Sequence, residues 1–370
     1  MQFSEIRKIR KILIIQMRYI GDVILTTPLL RTLKNGLPGV QIHLLVNRGT
    51  QAVLASHPHA DRVLVFDYET GGKSLRHVVS FVSMLRKEKY DAVIDLTGND
   101  RSALFARLSG ARLRIGYAGD SRLRNILAYS TEIDVTAGSI HTVDHHLKSA
   151  EIFGLPVNDI HPFLAVAPEE AARVRAILAA RDLKTDQAFV ILHPGARRPY
   201  KSWPLDRFAL LGDHIIRTFN IPVLLSGSGD DQNLCAQLAE KMKEKSLNLA
   251  GQISLADLPA LIQKSCCLIG NDSAPIHIAT AVNTPVIALF GPTKWEIWGP
   301  RRRQDRIIAA EFPCRPCGHS RPACPLGEKY CMTDIAFETV RAAVSEVLGL
   351  QGEFPVAAEG APGQKKIRKD

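Results

Sequence analysis

The sequence predicts an α/β protein built from two doubly wound parallel-sheet domains facing one cleft. Short apolar runs alternate with helical stretches along the whole chain, the βαβ rhythm of parallel sheets covered by helices on both faces. The length, 370 residues, exceeds one ordinary core. A more polar, helical region around 141–185 separates two sets of such runs. The expected division is a first domain over 1–165, a second over 166–335, a docked helix over 336–350 and a disordered tail over 351–370.

The first set opens with KILIIQM (11–17), short and rich in isoleucine, which suits a buried strand. From Val23 to Lys34 the apolar residues recur at helical spacing, so Asp22, directly behind Gly21, sits in the turn at the carboxyl end of the first strand. Open α/β sheets place ligands there. A helix cap, with the carboxylate accepting a backbone N–H near the positive end of the dipole, fits that position equally well. The runs QIHLLVN (41–47), RVLVF (62–66) and DAVIDLTG (91–98) complete the first set. The second consists of FVILHPG (189–195), IPVLLSG (221–227), SLNLAG (246–251), CCLIGND (266–272) and TPVIALFG (284–291). AFETVRAAVSEVLGL (336–350) has the spacing of a last helix, and the following stretch is too rich in Gly, Pro, Ala and charge to fold.

Hydrophobic residues make up 46% of the chain, enough for two substantial cores. No run of eighteen apolar residues occurs, and MQFSEIRKIRK lacks the features of a signal peptide, so a soluble, cytosolic protein is expected. The net charge of +10 favours an anionic partner, though the excess is spread over both halves with no long basic tract. Cys314, Cys317, Cys324 and Cys331 have the spacing C-x2-C-x6-C-x6-C. Zinc or an iron–sulfur cluster could sit there, but the spacing matches no common zinc motif, and a reduced or occasionally oxidised loop is the expectation.

The stretch LIGNDSAPIHIATAVNTPVIALFGPT (268–293) carries the most chemistry. An apolar strand ends at Gly270, Asn271, Asp272 and Ser273 supply capping oxygens, and Pro275 opens a helix whose free N–H groups form an anion site suited to a diphosphate. His277 lies one turn beyond Ser273 on the same face. Asp272 can be a cap or a ligand contact, and His277 a ligand contact or a packing residue. The next strand ends in what should be a small exposed turn, Gly291, Pro292 and Thr293. HPGARRPYKSWP (193–204) offers Arg197, Arg198 and Lys201 after another strand, cations that can neutralise a leaving phosphate. GGKS (71–74) lacks the first glycine of a P-loop, GSGDDQ (227–232) lacks the third of a dinucleotide fingerprint, and neither an Asp-x-Asp pair nor a G-x-S-x-G elbow occurs.

GDVILTTPLLRTLK, HPGARRPYKSWP, NDSAPIHIATAVNTPVIALFGPT and CRPC…CM, in this order over residues 12–332, resemble the ADP-heptose:lipopolysaccharide heptosyltransferases, glycosyltransferase family nine. The resemblance implies two Rossmann-like domains of the GT-B type, acceptor-binding first and nucleotide-sugar-binding second. It implies inversion at the anomeric carbon, ADP-heptose as donor, and no metal or cofactor for transfer. Asp22 matches the family's GDV aspartate, its general base. Lys201 matches the lysine before the WP dipeptide and should meet the diphosphate. Asp272, Ser273 and His277 match donor-binding positions of D-[ST]-G-x-x-H, with Ala274 in place of its glycine. Gly291 and Thr293 join the donor set, and Asp230 and Asp231 can hydrogen-bond the ribose or cap a helix. The wording of YKSWP and GPTKWEIWGP resembles the type that adds a third, branching heptose.

The implied acceptor is the phosphorylated inner core of lipopolysaccharide, whose charge suits the arginines of the first half, with Arg18, Arg101 and Arg122 as candidates. Peripheral contact with the cytoplasmic face of the inner membrane follows from that acceptor, and nucleic acid is not expected as a partner. Two alternatives share the features: a sugar-nucleotide epimerase or hydrolase of the same fold, and a non-catalytic nucleotide- or polyanion-binding protein. Acceptor-dependent ADP release separates them.

Overall fold

A computed structural model describes residues 6, 8–67, 74–117, 127–135, 138–184, 186–312, 314–317 and 330–349. Two six-stranded sheets, parallel throughout, organise the chain. The first contains β1 (Lys11–Gln16), β2 (Gln41–Asn47), β3 (Arg62–Phe66), β4 (Ala92–Asp95), β5 (Leu113–Tyr117) and β6 (Thr131–Ile133), in the order β3-β2-β1-β4-β5-β6. The second contains β7 (Val190–His193), β8 (Val223–Leu225), β9 (Leu247–Asn248), β10 (Cys267–Asn271), β11 (Val286–Phe290) and β12 (Arg306–Ala309). Its order, β12-β11-β10-β7-β8-β9, repeats the first when counted within the half.

Burial explains why the central strands were so plain in sequence. Ile12 to Ile15 of β1 are fully buried, as are Leu268 and Ile269 of β10 and all of β11. Three strands were not anticipated: β5, β6 and β12. Each carries charge or glycine among its apolar residues, and β6 and β12 are sheet edges.

The expected single helix from Val23 to Lys34 is two helices, α1 (Ile20–Ile24) and α2 (Thr27–Gly36). Pro28 has no N–H to continue a helix, so the chain restarts with proline in the opening turn, where no such donor is needed. Thr26 and Thr27 donate their hydroxyls to the carbonyls of Asp22 and Ile24 at 2.9 and 2.7 Å, satisfying the interrupted ladder. Asp22 therefore lies within α1, not in the turn ahead of a helix.

In the first half, α3 (Leu75–Lys87) and α4 (Asp100–Leu108) follow β3 and β4. Between the sheets run α5 (Thr142–Glu151) and α6 (Pro168–Ala179). One polar face of α5 is turned away from water: His145, His146 and Ser149 are buried, and His146 bonds the Leu25 carbonyl through Nδ1 at 3.2 Å. The second half adds α7 (Leu205–Phe219), α8 (Gln232–Lys241), α9 (Leu258–Lys264), α10 (Ala274–Ala281), α11 (Trp295–Trp298), α12 (Tyr330–Asp334) and α13 (Phe337–Gly349). Buried Val340, Val344 and Val347 of α13 join the core formed by β7, β8, β10 and β11. Among the described residues, no helix is long and apolar enough to cross a membrane.

In each sheet the strand order reverses beside the first strand, between β1 and β4 and between β7 and β10. Such switch points open the crevice where doubly wound sheets bind ligands. The loops after those four strands, together with the helices they lead into, carry Arg18, Asp22, Arg101, Lys201, Asp272, Ser273 and His277.

Candidate functional site

Asp22 is the third residue of α1, and its Oδ2 accepts the Tyr19 N–H at 3.2 Å. The capping geometry is thus present, yet a cap on a short surface turn has no need of burial, and Asp22 is 7% exposed. Burial raises its pKa above the ordinary carboxylate value, Asp272 across the cleft raises it further, and Arg18 and the Tyr19 N–H oppose the shift.

The two halves meet on this helix. A Cβ on Gly21 would stand 2.7 Å from Cδ2 of His277, so only glycine lets α1 approach α10 so closely. His277 is buried, and that burial brings its pKa down to about 4 against the pull of Asp272, leaving a neutral ring at physiological pH. The approach is held elsewhere by Arg301, which donates two hydrogen bonds to Asp144 at 2.7 and 3.0 Å, and by a contact between His141 Nε2 and the Gly299 carbonyl at 3.0 Å. Gly21→Ala should therefore prise α1 from α10. We expect kcat to fall about tenfold, part of the roughly 10²-fold that a 1 Å misplacement can cost, with the circular dichroism spectrum retained. A variant with wild-type kcat would show that the approach does not set the position of Asp22.

On the opposite wall, Lys201 ends the short turn Pro199–Lys201 and donates to Asp272 Oδ2 at 2.7 Å. The Thr293 hydroxyl donates to the same oxygen at 2.5 Å. Burial alone would raise the Asp272 pKa, but Lys201 and Thr293 hold the carboxyl below its ordinary value. Asn271, one residue back and fully buried, donates from Nδ2 to the Pro194 carbonyl at 2.8 Å and accepts the Trp203 N–H at 2.9 Å. It ties both ends of the Lys201 loop to β10, and Trp203, also buried, anchors the loop's exit.

The start of α10 differs from expectation. The side chains of Asn271, Asp272 and Ser273 are engaged elsewhere, and the Ser273 hydroxyl, 3.2 Å from the Asn271 carbonyl, does not cap the helix. The opening turn at Ser273 and Ala274 thus has no side-chain cap and stays partly exposed.

Gly291, Pro292 and Thr293, expected as an exposed turn, are buried. The Cys317 N–H donates to the Pro292 carbonyl at 3.0 Å and Arg315 Nη2 to the Thr293 carbonyl at 2.8 Å. A Cβ on Gly291 would fall 2.3 Å from the Met332 sulfur, so this glycine admits α12. Of the three, Thr293 reaches the Lys201–Asp272 pair.

Asp231 accepts the Ser228 N–H and hydroxyl at 2.8 and 2.7 Å, the capping geometry that was one of its two readings, while Asp230 is exposed on the same turn. A Cβ on Gly195 would stand 2.8 Å from Asp231 Oδ1, so the loops after β7 and β8 touch there. Arg18 donates to the Thr97 carbonyl at 2.7 Å through Nη2 and 3.2 Å through Nε, which binds the loop after β1 to the loop after β4. Arg101 lies in the first turn of α4, and Arg122 lies outside the described residues. Cys314 and Cys317 are half-buried, Cys331 is buried and Cys324 lies outside the described residues. Among the described residues, no three His, Cys, Asp or Glu side chains are grouped to hold a metal.

Sequence reasoning missed Asn271 as an organiser of the Lys201 loop, although an asparagine ending the apolar run CLIGN was a visible signal. It also missed the stacking of the Arg197 guanidinium on Tyr19, 3.7 Å from the ring centroid, a contact that joins the two halves.

The family model described as glycosyltransferase family 9 (heptosyltransferase) matches residues 78–326. "Lipopolysaccharide heptosyltransferase 3" of Escherichia coli (strain K12) is 32% identical over 288 residues, 77% of this chain and 83% of that relative. The structure of E. coli ADP-heptose lps heptosyltransferase II covers 92% of this chain and 99% of its own, with a TM-score of 0.76 and 22% identity. E. coli heptosyltransferase WaaC with ADP-2-deoxy-2-fluoro heptose covers 91% of this chain and 99% of its own, with a TM-score of 0.68 and 19% identity.

Proposed function

The chain belongs to glycosyltransferase family 9, the heptosyltransferases, and on that premise we propose how its cleft moves heptose from ADP-heptose to the inner core of lipopolysaccharide. The observation that carries the proposal is a buried carboxylate, Asp22, facing a lysine-bearing nucleotide wall across a single cleft. A sugar hydroxyl is a poor nucleophile and needs a base within hydrogen-bond reach as the C1–O bond to ADP breaks. The acceptor oxygen attacks C1 from the face opposite the diphosphate, inverting that centre. Its proton goes to the Asp22 carboxylate, and the electron pair of the broken bond leaves with ADP.

On the donor wall, Lys201 and the uncapped opening turn of α10 at Ser273 and Ala274 take the developing diphosphate charge. Asp272 holds Lys201 through its hydrogen bond and, together with Thr293, fixes where that charge sits. His277, neutral and packed on Gly21, sets the spacing between the walls. Asp231, beside Gly195, and Asp230 on the same turn are the side chains assigned by this reading to the nucleoside. No metal ion is part of this scheme. Arg18 and Arg101, which follow β1 and β4 in the chain, are the cations this reading assigns to the anionic acceptor. The acceptor's lipid anchor brings the enzyme to the cytoplasmic face of the inner membrane. The identity to lipopolysaccharide heptosyltransferase 3 supports the type III assignment within the family.

The test is ADP release from a panel of sugar nucleotides with and without truncated core acceptors. Release should require both ADP-heptose and a core acceptor. ADP released at the same rate without any acceptor would favour the hydrolase alternative.

A further inference from the structure

Tyr19 is a large aromatic side chain left 58% exposed at the N-terminus of α1, the helix that carries Asp22. The Arg197 guanidinium lies over one face of the ring, 3.7 Å from its centroid. Arg197 covers one face of the ring, and more than half of the residue is still accessible. The Tyr19 N–H donates to Asp22 Oδ2 at 3.2 Å, so the residue that carries the ring is tied through its backbone to that carboxylate.

We propose that Tyr19 is the platform of the acceptor-sugar subsite, its open face taking the pyranose ring while Arg197 braces the face behind. The inference rests on the reading of this cleft as a glycosyl-transfer site. A pyranose presents a face of C–H bonds that packs on the negative face of an aromatic ring, with its hydroxyls left at the edge to hydrogen-bond. Such packing fixes the plane of the sugar and lets one rim hydroxyl point at Asp22. Arg197 strengthens the platform in two ways: it holds the ring by a cation–π contact, and its charge favours a sugar that bears phosphate or carboxylate. Because Arg197 comes from the same loop as Lys201, the platform is complete only when the two walls are closed on each other. Asp22 alone would place a base, and Tyr19 adds the choice of which hydroxyl reaches it.

Steady-state kinetics with the full chain, ADP-heptose and core oligosaccharide freed from lipid A test the subsite. Tyr19→Ala should raise the acceptor KM about tenfold, with a much smaller fall in kcat and an unaltered donor KM. Tyr19→Phe, which keeps the ring, should restore most of the acceptor affinity. Arg197→Ala should shift the acceptor KM in the same direction by less. An unchanged acceptor KM in Tyr19→Ala overturns the proposal, as does a rise in the donor KM alone, which would make the ring a nucleotide platform. A fall in kcat alone would show that Tyr19 only positions α1 and also overturns it. A wild-type enzyme that releases ADP without needing the core overturns the underlying reading, and the subsite with it.

Discussion

Asp22→Asn should lower the rate of heptose transfer by about 10²–10⁴-fold, the usual contribution of a general base, while ADP affinity and Tm stay close to wild type. Two roles for this carboxylate coexist in the structure, and the substitution separates them. Asparagine keeps an oxygen for the Tyr19 N–H, which is 3.2 Å from Oδ2, so capping survives. It cannot take a proton from the acceptor. Stability gives a second sign. Burial raises the Asp22 pKa above its unfolded value, so the ionised group costs stability at neutral pH, and that cost is relieved as pH falls through the raised folded pKa. The amide carries no such cost, and Asp22→Asn should be no less stable than wild type at neutral pH. The same shift places the acid limb of kcat/KM above the ordinary carboxylate pKa, because the enzyme is competent only when Asp22 is ionised. A variant that transfers heptose at more than about a tenth of the wild-type rate, outside the range of a lost base, would leave Asp22 as a helix cap alone.

Much of this architecture is written in the chain's short-range patterns. QIHLLVN and RVLVF are strands over the residues that the apolar runs marked: Ile42 to Val46 of β2 are buried and apolar but for His43, whereas β3, at the sheet edge, buries Leu64 and Phe66 and leaves Arg62 and Val65 exposed. β5 was hidden because LRIGY mixes an arginine with a glycine, and that glycine is required by a ring elsewhere in the chain: a Cβ on Gly116 would lie 2.3 Å from Tyr129 Cδ2. β6 is three residues long and at a sheet edge, where little side chain is buried to leave a pattern. The break after Ile24 was legible in Pro28, but the apolar spacing on either side masked it.

The site divides the same way. That Asp22, Lys201 and the start of α10 lie at strand ends follows from local sequence. How they face each other does not, since the contacts that decide it join distant residues. Gly21 is a glycine because of His277, Tyr19 is exposed under Arg197, and Gly291 makes room for Met332 instead of a ligand. A glycine-rich turn after a strand looks the same whether its missing Cβ admits a phosphate or a methionine. Only tertiary packing distinguishes the two.

Lys201→Ala should weaken ADP binding by about 1.5–3 kcal/mol, the range for a hydrogen bond to a charged group, and should also destabilise the fold. The second effect follows from the pairing with Asp272, whose side chain is 9% exposed against 18% for Lys201. Removing one partner of a pair so enclosed leaves a buried charge without its counter-ion, with the Thr293 hydroxyl still bonded to it, and such losses run to about 3–5 kcal/mol. The pH dependence identifies the cause. In the wild type the Asp272 pKa is held below its unfolded value, so the pair stabilises above that unfolded value and its contribution is lost as pH falls through the lowered folded pKa. Without Lys201, burial dominates and the folded pKa moves above the unfolded one. The deficit of Lys201→Ala should therefore be largest at neutral pH and shrink as the pH falls and the stranded carboxyl protonates. Adding Asp272→Asn removes the stranded charge and should recover most of the lost Tm without recovering ADP affinity, because the cation that meets the diphosphate is still missing. Calorimetry showing wild-type ADP affinity in Lys201→Ala would take Lys201 out of the donor site and leave it a structural partner of Asp272. Recovery of ADP affinity in the double variant would mean that Lys201 serves the donor only by neutralising Asp272.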